Sequence, residues 1–195
     1  MIAASDYDGA LGEMEKFKQS EYGRKNAVLY YLNAGMVLHD AGRYRDSDKN
    51  FDRAETRMEE LFTKSVSRAA GTFLLNDNTT EYAGEVFERA WMNTFRALNY
   101  MLLGESDEAL VEVRKVTAYL GRFSGFMRGK SGFKDSAFAE YLSGMLFEQD
   151  GRRDDARICY NAAAEAYRQY AADYGTPAPE FDVPAYLKLD GKGEI

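Results

Sequence analysis

The sequence predicts an all-α protein built from antiparallel helix hairpins. All three prolines lie beyond residue 176, so the body of the chain lacks the residue that breaks helices most strongly. Large apolar residues recur at three- or four-residue intervals, as in Phe87, Trp91 and Phe95, which is the period of a helix. A repeat in three copies then groups the helices into pairs.

The predicted elements are, in chain order, a half repeat, three hairpins and a tail. We expect helices at 25–40 and 44–66, 85–103 and 106–120, and 135–149 and 153–173. The hairpins therefore cover 25–66, 85–120 and 135–173, with insertions at about 66–84 and 121–134. We expect residues 1–176 to form a single helical domain and residues 177–195 an extended tail, because proline fixes an extended path.

Residues 5–20 repeat the spacing of a second helix, since Tyr7, Ala10, Met14 and Phe17 correspond to Tyr44, Ser47, Phe51 and Ala54. Two interpretations stay open. This half repeat is either the remainder of a hairpin whose first helix was removed with a leader, or a helix that caps the stack.

The repeat consists of columns in which small and large residues recur at fixed spacing. They are Gly35, Ala97 and Gly144; Gly42, Gly104 and Gly151; Ser47, Ala109 and Ala156; Phe51, Val113 and Tyr160; Ala54, Val116 and Ala163; and Leu38, Tyr100 and Phe147. The small residues let two helices approach closely, and the second glycine ends the first helix in a left-handed conformation. Because one hairpin cannot bury its own apolar face, the hairpins must stack.

These columns resemble the tetratricopeptide repeat, and the resemblance implies a superhelix of hairpins. The match is degenerate, because the copies lie 62 and 47 residues apart instead of 34. The aromatic residue at Tyr31 is also replaced by Asn93 and Glu140 in the other copies.

The segments 76–89, 97–114, 135–144 and 174–177 are similar to a family of uncharacterised bacterial repeat proteins of the cell envelope, many made as lipoproteins. The similarity spans most of residues 40–185. It implies a periplasmic or envelope location and a role in envelope assembly, although no signal peptide is recognisable in this sequence. The family has no assigned activity.

Composition excludes several classes of function. The chain has 25 Lys and Arg against 32 Asp and Glu, and the net charge of −7 disfavours binding to nucleic acid or anionic lipid. Its one cysteine and one histidine leave no disulfide framework, no metal site and no proton relay. No stretch reaches the roughly 18 apolar residues of a membrane span. We expect no cofactor, no metal and no enzymatic activity.

The main candidate site is an apolar groove on the concave face, which the first helices of the hairpins should line. Its residues are Leu29, Leu32, Met36 and His39 in the first copy, Trp91, Thr94, Leu98 and Met101 in the second, and Phe138, Tyr141, Met145 and Glu148 in the third. Walls of Met and aromatic residues adapt to an apolar helix or peptide. Alternatively, the insertions or the tail cover this face, with Phe181 and Val183 as anchors, and it is only core.

The runner-up site is a basic segment at 114–134, which contains Arg114, Lys115, Arg122, Arg128, Lys130 and Lys134 with interleaved phenylalanines. Such a segment is either a mobile loop balanced by acidic neighbours or a surface for an anionic polymer or partner. Nucleic acid is the least favoured ligand.

Four smaller features favour structural roles. The acidic and amide residues at 76–85 lack the spacing of a calcium loop and are better explained as caps and turns. Glu85 and Glu88 suit a helix N-terminus better than a hydrolase carboxylate pair. His39 suits a helix C-terminus, where it can reach free carbonyls, and Cys159 is expected in the core without a base to activate it.

Taken together, the sequence predicts a non-catalytic scaffold that binds a peptide or helix of another protein. The alternative is an accessory protein that binds an anionic polymer or surface through the 114–134 segment.

Overall fold

The computed structural model describes residues 6–69, 81–124, 137–175 and 177, and these form an all-helical structure. The described helices are α1 (Tyr7–Lys16), a π-helical turn (Lys18–Tyr22), α2 (Ala27–Asp40), α3 (Tyr44–Ala69), α4 (Val86–Leu103), α5 (Ser106–Ser124), α6 (Ala137–Gln149) and α7 (Arg153–Tyr174). The all-α, tetratricopeptide-like prediction is confirmed.

The chain divides into two compact units, Met1–Leu103 and Gly104–Ile195. In the first unit α1 packs on α2, α2 packs on α3, and α4 packs on both α2 and α3. In the second unit α6 packs on α5 and α7. That residues 1–176 form a single domain stays a prediction.

The predicted glycine turns end three helices. Gly42, Gly104 and Gly151 have φ angles of 72°, 78° and 74°, where a side chain would be strained. After α2, the Gly42 N–H donates to the His39 carbonyl at 2.9 Å and the Arg43 N–H to the Leu38 carbonyl at 2.9 Å. This pair of bonds is the Schellman motif, which satisfies carbonyls that the helix end leaves open.

The small columns are points of close approach between the helices of a hairpin. A Cβ added to Gly35 would lie 2.5 Å from the Phe51 ring, and one added to Gly144 would lie 2.6 Å from the Tyr160 ring. The buried side chains opposite are also small, with Ser47 and Ala156 both fully buried. Gly35 therefore lies against Phe51 and Ser47 in the first hairpin, and Gly144 lies against Tyr160 in the third.

Each helix of the hairpins differs from its predicted range at one end, by four residues or fewer; α3, for example, continues to Ala69 instead of ending at 66. The N-terminal helix ends at Lys16 and is followed by the π-helical turn, whose Gly23 N–H donates to the Lys18 carbonyl at 2.8 Å. Helix α5 continues through Gly121 to Ser124 instead of ending at 120, because one internal glycine weakens a helix by only about 1 kcal/mol. The rest of both insertions and most of the tail lie outside the described residues.

Candidate functional site

Helix α4 carries an apolar ridge, formed by Phe87, Trp91, Phe95, Leu98 and Leu102 on one face of the helix. Phe87, Trp91 and Leu102 are 51%, 53% and 57% exposed. These three are the exposed side chains among the residues of α4 whose side chains the structure describes. The exposed apolar side chains of α4 are therefore concentrated on one face of the helix, which makes this face the candidate site.

An aromatic row connects the ridge to the neighbouring helices. The Trp91 and Phe95 rings lie 6.0 Å apart, and the Phe95 ring meets the His39 imidazole edge-on at 5.0 Å. The His39 ring in turn lies 5.7 Å from Tyr44 at the start of α3. Trp91 thus packs against Phe95 of its own helix, and Phe95 connects α4 to His39 of α2.

A buried chain of hydrogen bonds holds the Asn99 face of α4 against α2 and α3. The Ser47 hydroxyl donates a hydrogen bond to the Gly35 carbonyl at 2.8 Å. The same hydroxyl oxygen accepts a hydrogen bond from Asn99 Nδ2 at 2.9 Å. Asn99 Oδ1 then faces His39 Nδ1 at 2.7 Å, which requires a proton on Nδ1. Backbone N–H groups donate to the Val37, Leu38 and His39 carbonyls at the end of α2, and the structure places His39 Nδ1 against α4; that His39 also reaches helix-end carbonyls stays a prediction.

An ion cluster lies one turn away. Arg96 is 5% exposed, and its guanidinium donates to Asp48 at 2.7 Å and to Glu55 at 2.5 Å on α3. The Tyr100 hydroxyl donates to the second Asp48 oxygen at 2.8 Å. Burial, together with this bond, raises the pKa of Tyr100 to about 12. These contacts hold α4 against α3 in one register.

The start of α4 is capped by its own residues. Glu88 accepts a hydrogen bond from the Glu85 N–H at 2.8 Å and another from the Tyr82 hydroxyl. Burial and the bond to Glu88 raise the pKa of Tyr82. Glu88 is thus engaged as a helix cap, which supports the structural interpretation of this carboxylate.

Of the predicted groove residues in the first unit, only Trp91 is exposed. Leu32 and Thr94 are buried, and Thr94 donates to the Ala90 carbonyl at 2.8 Å within its own helix. The half-buried remainder are Leu29, Met36, His39, Leu98 and Met101. Met36 packs against the core cluster that includes Leu32. On this part of the predicted groove, the accessible apolar surface lies on α4 more than on α2.

The second unit repeats this arrangement on α6. Phe138 and Met145 are 39% and 41% exposed, whereas Tyr141 and Glu148 are half-buried. The Tyr160 hydroxyl donates to Glu148 at 2.6 Å, and the Tyr141 and Tyr160 rings lie 5.4 Å apart. Glu148 of α6 is thus hydrogen-bonded to Tyr160 of α7.

Few predicted residues of the basic segment can be placed. Arg114 is exposed on α5, and Lys115 pairs with Glu112 at 3.0 Å. Arg122 lies in the last turn of α5. The other predicted residues of this segment, Arg128, Lys130 and Lys134, lie outside the described residues, as do residues 76–80 and the tail anchors Phe181 and Val183.

Neither a metal site nor a membrane span is found in the part of the chain that the structure describes. No group of three or more His, Cys, Asp or Glu residues there could hold a metal ion. No described helix combines the length and apolarity needed to cross a bilayer. Burial raises the pKa of the Cys159 thiol to about 11, so this thiol stays protonated at neutral pH.

Sequence reasoning missed the polar contacts that Arg96 and Asn99 make with α3 and α2. It also missed Phe87 and Leu102, two exposed residues of the ridge. Asp48, Asp52 and Glu55 are spaced to share one face of α3, and Arg96 and Asn99 interrupt an apolar helix, which together could have indicated a buried cluster. Phe87 and Leu102 share the helical period of Trp91 and could have been found from it.

The hairpins, their glycine turns and their close-approach columns define a tetratricopeptide-like helical protein. Among curated proteins, the chain is similar to Photosystem I assembly protein Ycf3 of Parasynechococcus marenigrum (strain WH8102). The two are 26% identical over 171 residues, which cover 88% of this chain and 79% of that protein. No family model matches the chain. No solved structure matches it.

Proposed function

We propose that this chain is a non-catalytic interaction scaffold that binds other proteins, and that the exposed faces of α4 and of α6 are each a surface for a helix or peptide. The similarity to a photosystem I assembly protein supports a role in assembling protein complexes. Whether that assembly takes place in a cell envelope rests on the sequence resemblance alone.

The observation that carries this proposal is that α4 and α6 expose large apolar side chains, whereas the second helix α3 exposes mainly polar ones. Among the side chains that the structure describes, the exposed ones on α6 are Phe138, Met145 and Gln149, and those on α4 are all large and apolar. The second helix α3 exposes mainly charged and polar groups, namely Arg45, Lys49, Asp52, Arg53, Thr56, Glu59, Glu60 and Thr63, together with Phe62. The second helices α5 and α7 also expose Val111 and Ile158, and the first helix α2 exposes only Asn33 and Asp40, so the exposed large apolar side chains are concentrated on α4 and α6.

Exposure of this kind favours binding over solubility alone. Aromatic and Met side chains are enriched at protein interfaces, and the few residues that carry most of the binding free energy are often Trp, Tyr or Arg near the centre. Trp91 lies in the α4 ridge and packs against Phe95, which itself contacts His39, so ordering its side chain costs less entropy when a partner covers it.

The test compares capture of partners by surface variants. Trp91→Ser and Leu102→Ser remove apolar groups from the α4 ridge, whereas Phe62→Ser on α3 and Ile158→Ser on α7 remove groups that are 62% and 61% exposed elsewhere. We expect the ridge variants to lose proteins that the unaltered chain captures from native extract, and the control variants to keep them. Equal capture by all four variants, or no capture by the unaltered chain, would overturn the proposal.

The salt dependence of binding distinguishes binding of a protein by the apolar ridge from binding of an anionic polymer by the 114–134 segment. Binding through an apolar ridge changes little between low and moderate ionic strength, while binding of an anionic polymer by the 114–134 segment weakens steeply. That segment as a binding site stays a prediction.

A further inference from the structure

We infer that the segment bound by the α4 ridge is an amphipathic α-helix of a partner protein, about four turns long, whose basic end lies at the C-terminus of α4. This inference rests on the proposed function and specifies its ligand.

The shape of the site favours a helix. The ridge runs from Phe87 to Leu102 along a single helix, a distance of about 22 Å at 1.5 Å per residue. Side chains spaced three and four residues apart form a ridge that fits between the side-chain rows of a second helix. A partner helix of about 15 residues would cover that length.

The charge of the site sets the polarity of the ligand. α2 and α4 run in the same direction, because Val28 and Leu32 share a core cluster with Met92, whereas His39, further along α2, bonds to Asn99. The exposed carboxylate of Asp40 therefore lies near the C-terminal end of α4.

Within the described ranges 6–69, 81–124 and 137–175, no cation is paired with the acidic group at this end of the site. Asp40 takes part in no ion pair among the described residues, and the last turn of α4 contains no basic residue to offset its helix dipole. Both features attract a Lys or Arg from outside.

At the other end of α4, Glu81 and Glu88 already have partners, and the exposed carboxylate of Glu85 is offset by the positive N-terminal end of the helix dipole. Glu81 accepts from Arg24 at 3.3 Å and also from Arg57, and Glu88 accepts from Tyr82 and from the Glu85 N–H. The uncompensated negative charge of the site is thus concentrated at the C-terminal end of the ridge, which gives the ligand a direction.

The same charges disfavour a second copy of this chain as the occupant. The chain has a net charge of −7, and its own α4 has no cation in its last turn to offer to Asp40. A basic amphipathic helix from a different protein is the complementary ligand.

The test uses synthetic peptides as probes and the full chain as receptor. Three fluorescein-labelled peptides share one Leu-rich helical face and carry Lys, Gln or Glu at both ends. By fluorescence anisotropy at low salt we expect the Lys peptide to bind about three- to tenfold more tightly than the Glu peptide, the range for one surface ion pair plus a helix-end charge. Asp40→Lys should remove or reverse this order, whereas Glu59→Lys, an exposed acid on α3, should preserve it.

Each contrary outcome is informative. Equal binding of the three peptides, all lost in Trp91→Ser, would overturn the basic-helix inference and leave the proposed function intact. Sedimentation showing a dimer that Trp91→Ser dissociates would overturn it in favour of self-association. Failure of every peptide to bind, while the unaltered chain still captures proteins through the ridge, would exclude a helical ligand.

Discussion

Arg96 is the residue on which the position of α4 depends most. Its guanidinium is buried against carboxylates of α3, and Asn99 adds bonds to Ser47 on α3 and His39 on α2. Buried charges are tolerated only when they are paired, so this network has a single satisfied arrangement. That arrangement leaves Phe87, Trp91 and Leu102 exposed. Arg96 and Asn99 are not part of the ridge, but they orient the helix that carries the proposed binding site.

Arg96→Leu should therefore unfold the first unit readily. Removing one partner of a buried ion cluster costs about 3 to 5 kcal/mol, because Asp48 and Glu55 would be left without a countercharge. The control is Arg168→Leu, whose pair with Glu165 is largely exposed and is worth about 1 kcal/mol or less. Urea denaturation followed by circular dichroism measures both, and equal losses would contradict the role given to Arg96.

The pH dependence of stability provides a second residue-level prediction. Burial alone would raise the pKa of Glu81, but hydrogen bonds from Arg57 and Arg24 outweigh it and hold the pKa below its ordinary value of 4.5. A carboxylate with a lowered folded-state pKa stabilises above its unfolded pKa, and this contribution is lost as the pH falls through the folded value. The stability difference between the unaltered chain and Glu81→Gln should thus shrink from pH 6 to pH 3. A constant difference would show that the ion pairs contribute nothing.

At the scale of the helices, local rules predicted most of the fold. A glycine turn and two small columns lie within one hairpin, so sequence spacing alone predicted that Gly35 approaches the second helix near Ser47. The contact of the Phe51 ring with Gly35 was not predicted, since Phe51 was expected to pack between hairpins. The Arg96 cluster was not predicted, because it depends on the register between α3 and α4, which a long insertion separates in the chain. The exposed ridge was predicted only in part, since burial of Leu32 and Thr94 depends on how neighbouring helices pack.

Gly144→Ala tests the close-approach column. Its Cβ would lie 2.6 Å from the Tyr160 ring, so the helices must separate, and we expect a loss of about 1 to 3 kcal/mol. Gly12→Ala on α1 is the matched control, because a Cβ there meets nothing within 4 Å and alanine favours a helix. Thermal melts should show a lower Tm for the first variant and an equal or higher Tm for the second. The opposite order would refute the assigned register.

At the scale of the whole molecule, the two units have the same distribution of exposed apolar side chains. In each, a first helix presents large apolar groups, Trp91 on α4 or Phe138 and Met145 on α6, while the second helices expose mainly polar side chains. A monomer that needed only solubility would gain nothing from this arrangement. It is the surface expected of a scaffold whose ligand is another protein.

Site-specific photo-crosslinking in the native host tests this claim most directly. A photoreactive phenylalanine analogue placed at position 91, 102 or 145 reports on the first helices, and one placed at 62 or 158 reports on equally accessible positions of the second helices. We predict that the first set crosslinks to a common partner protein and that the second set does not. Crosslinks confined to positions 62 and 158, or absent from positions 91, 102 and 145, would contradict the account.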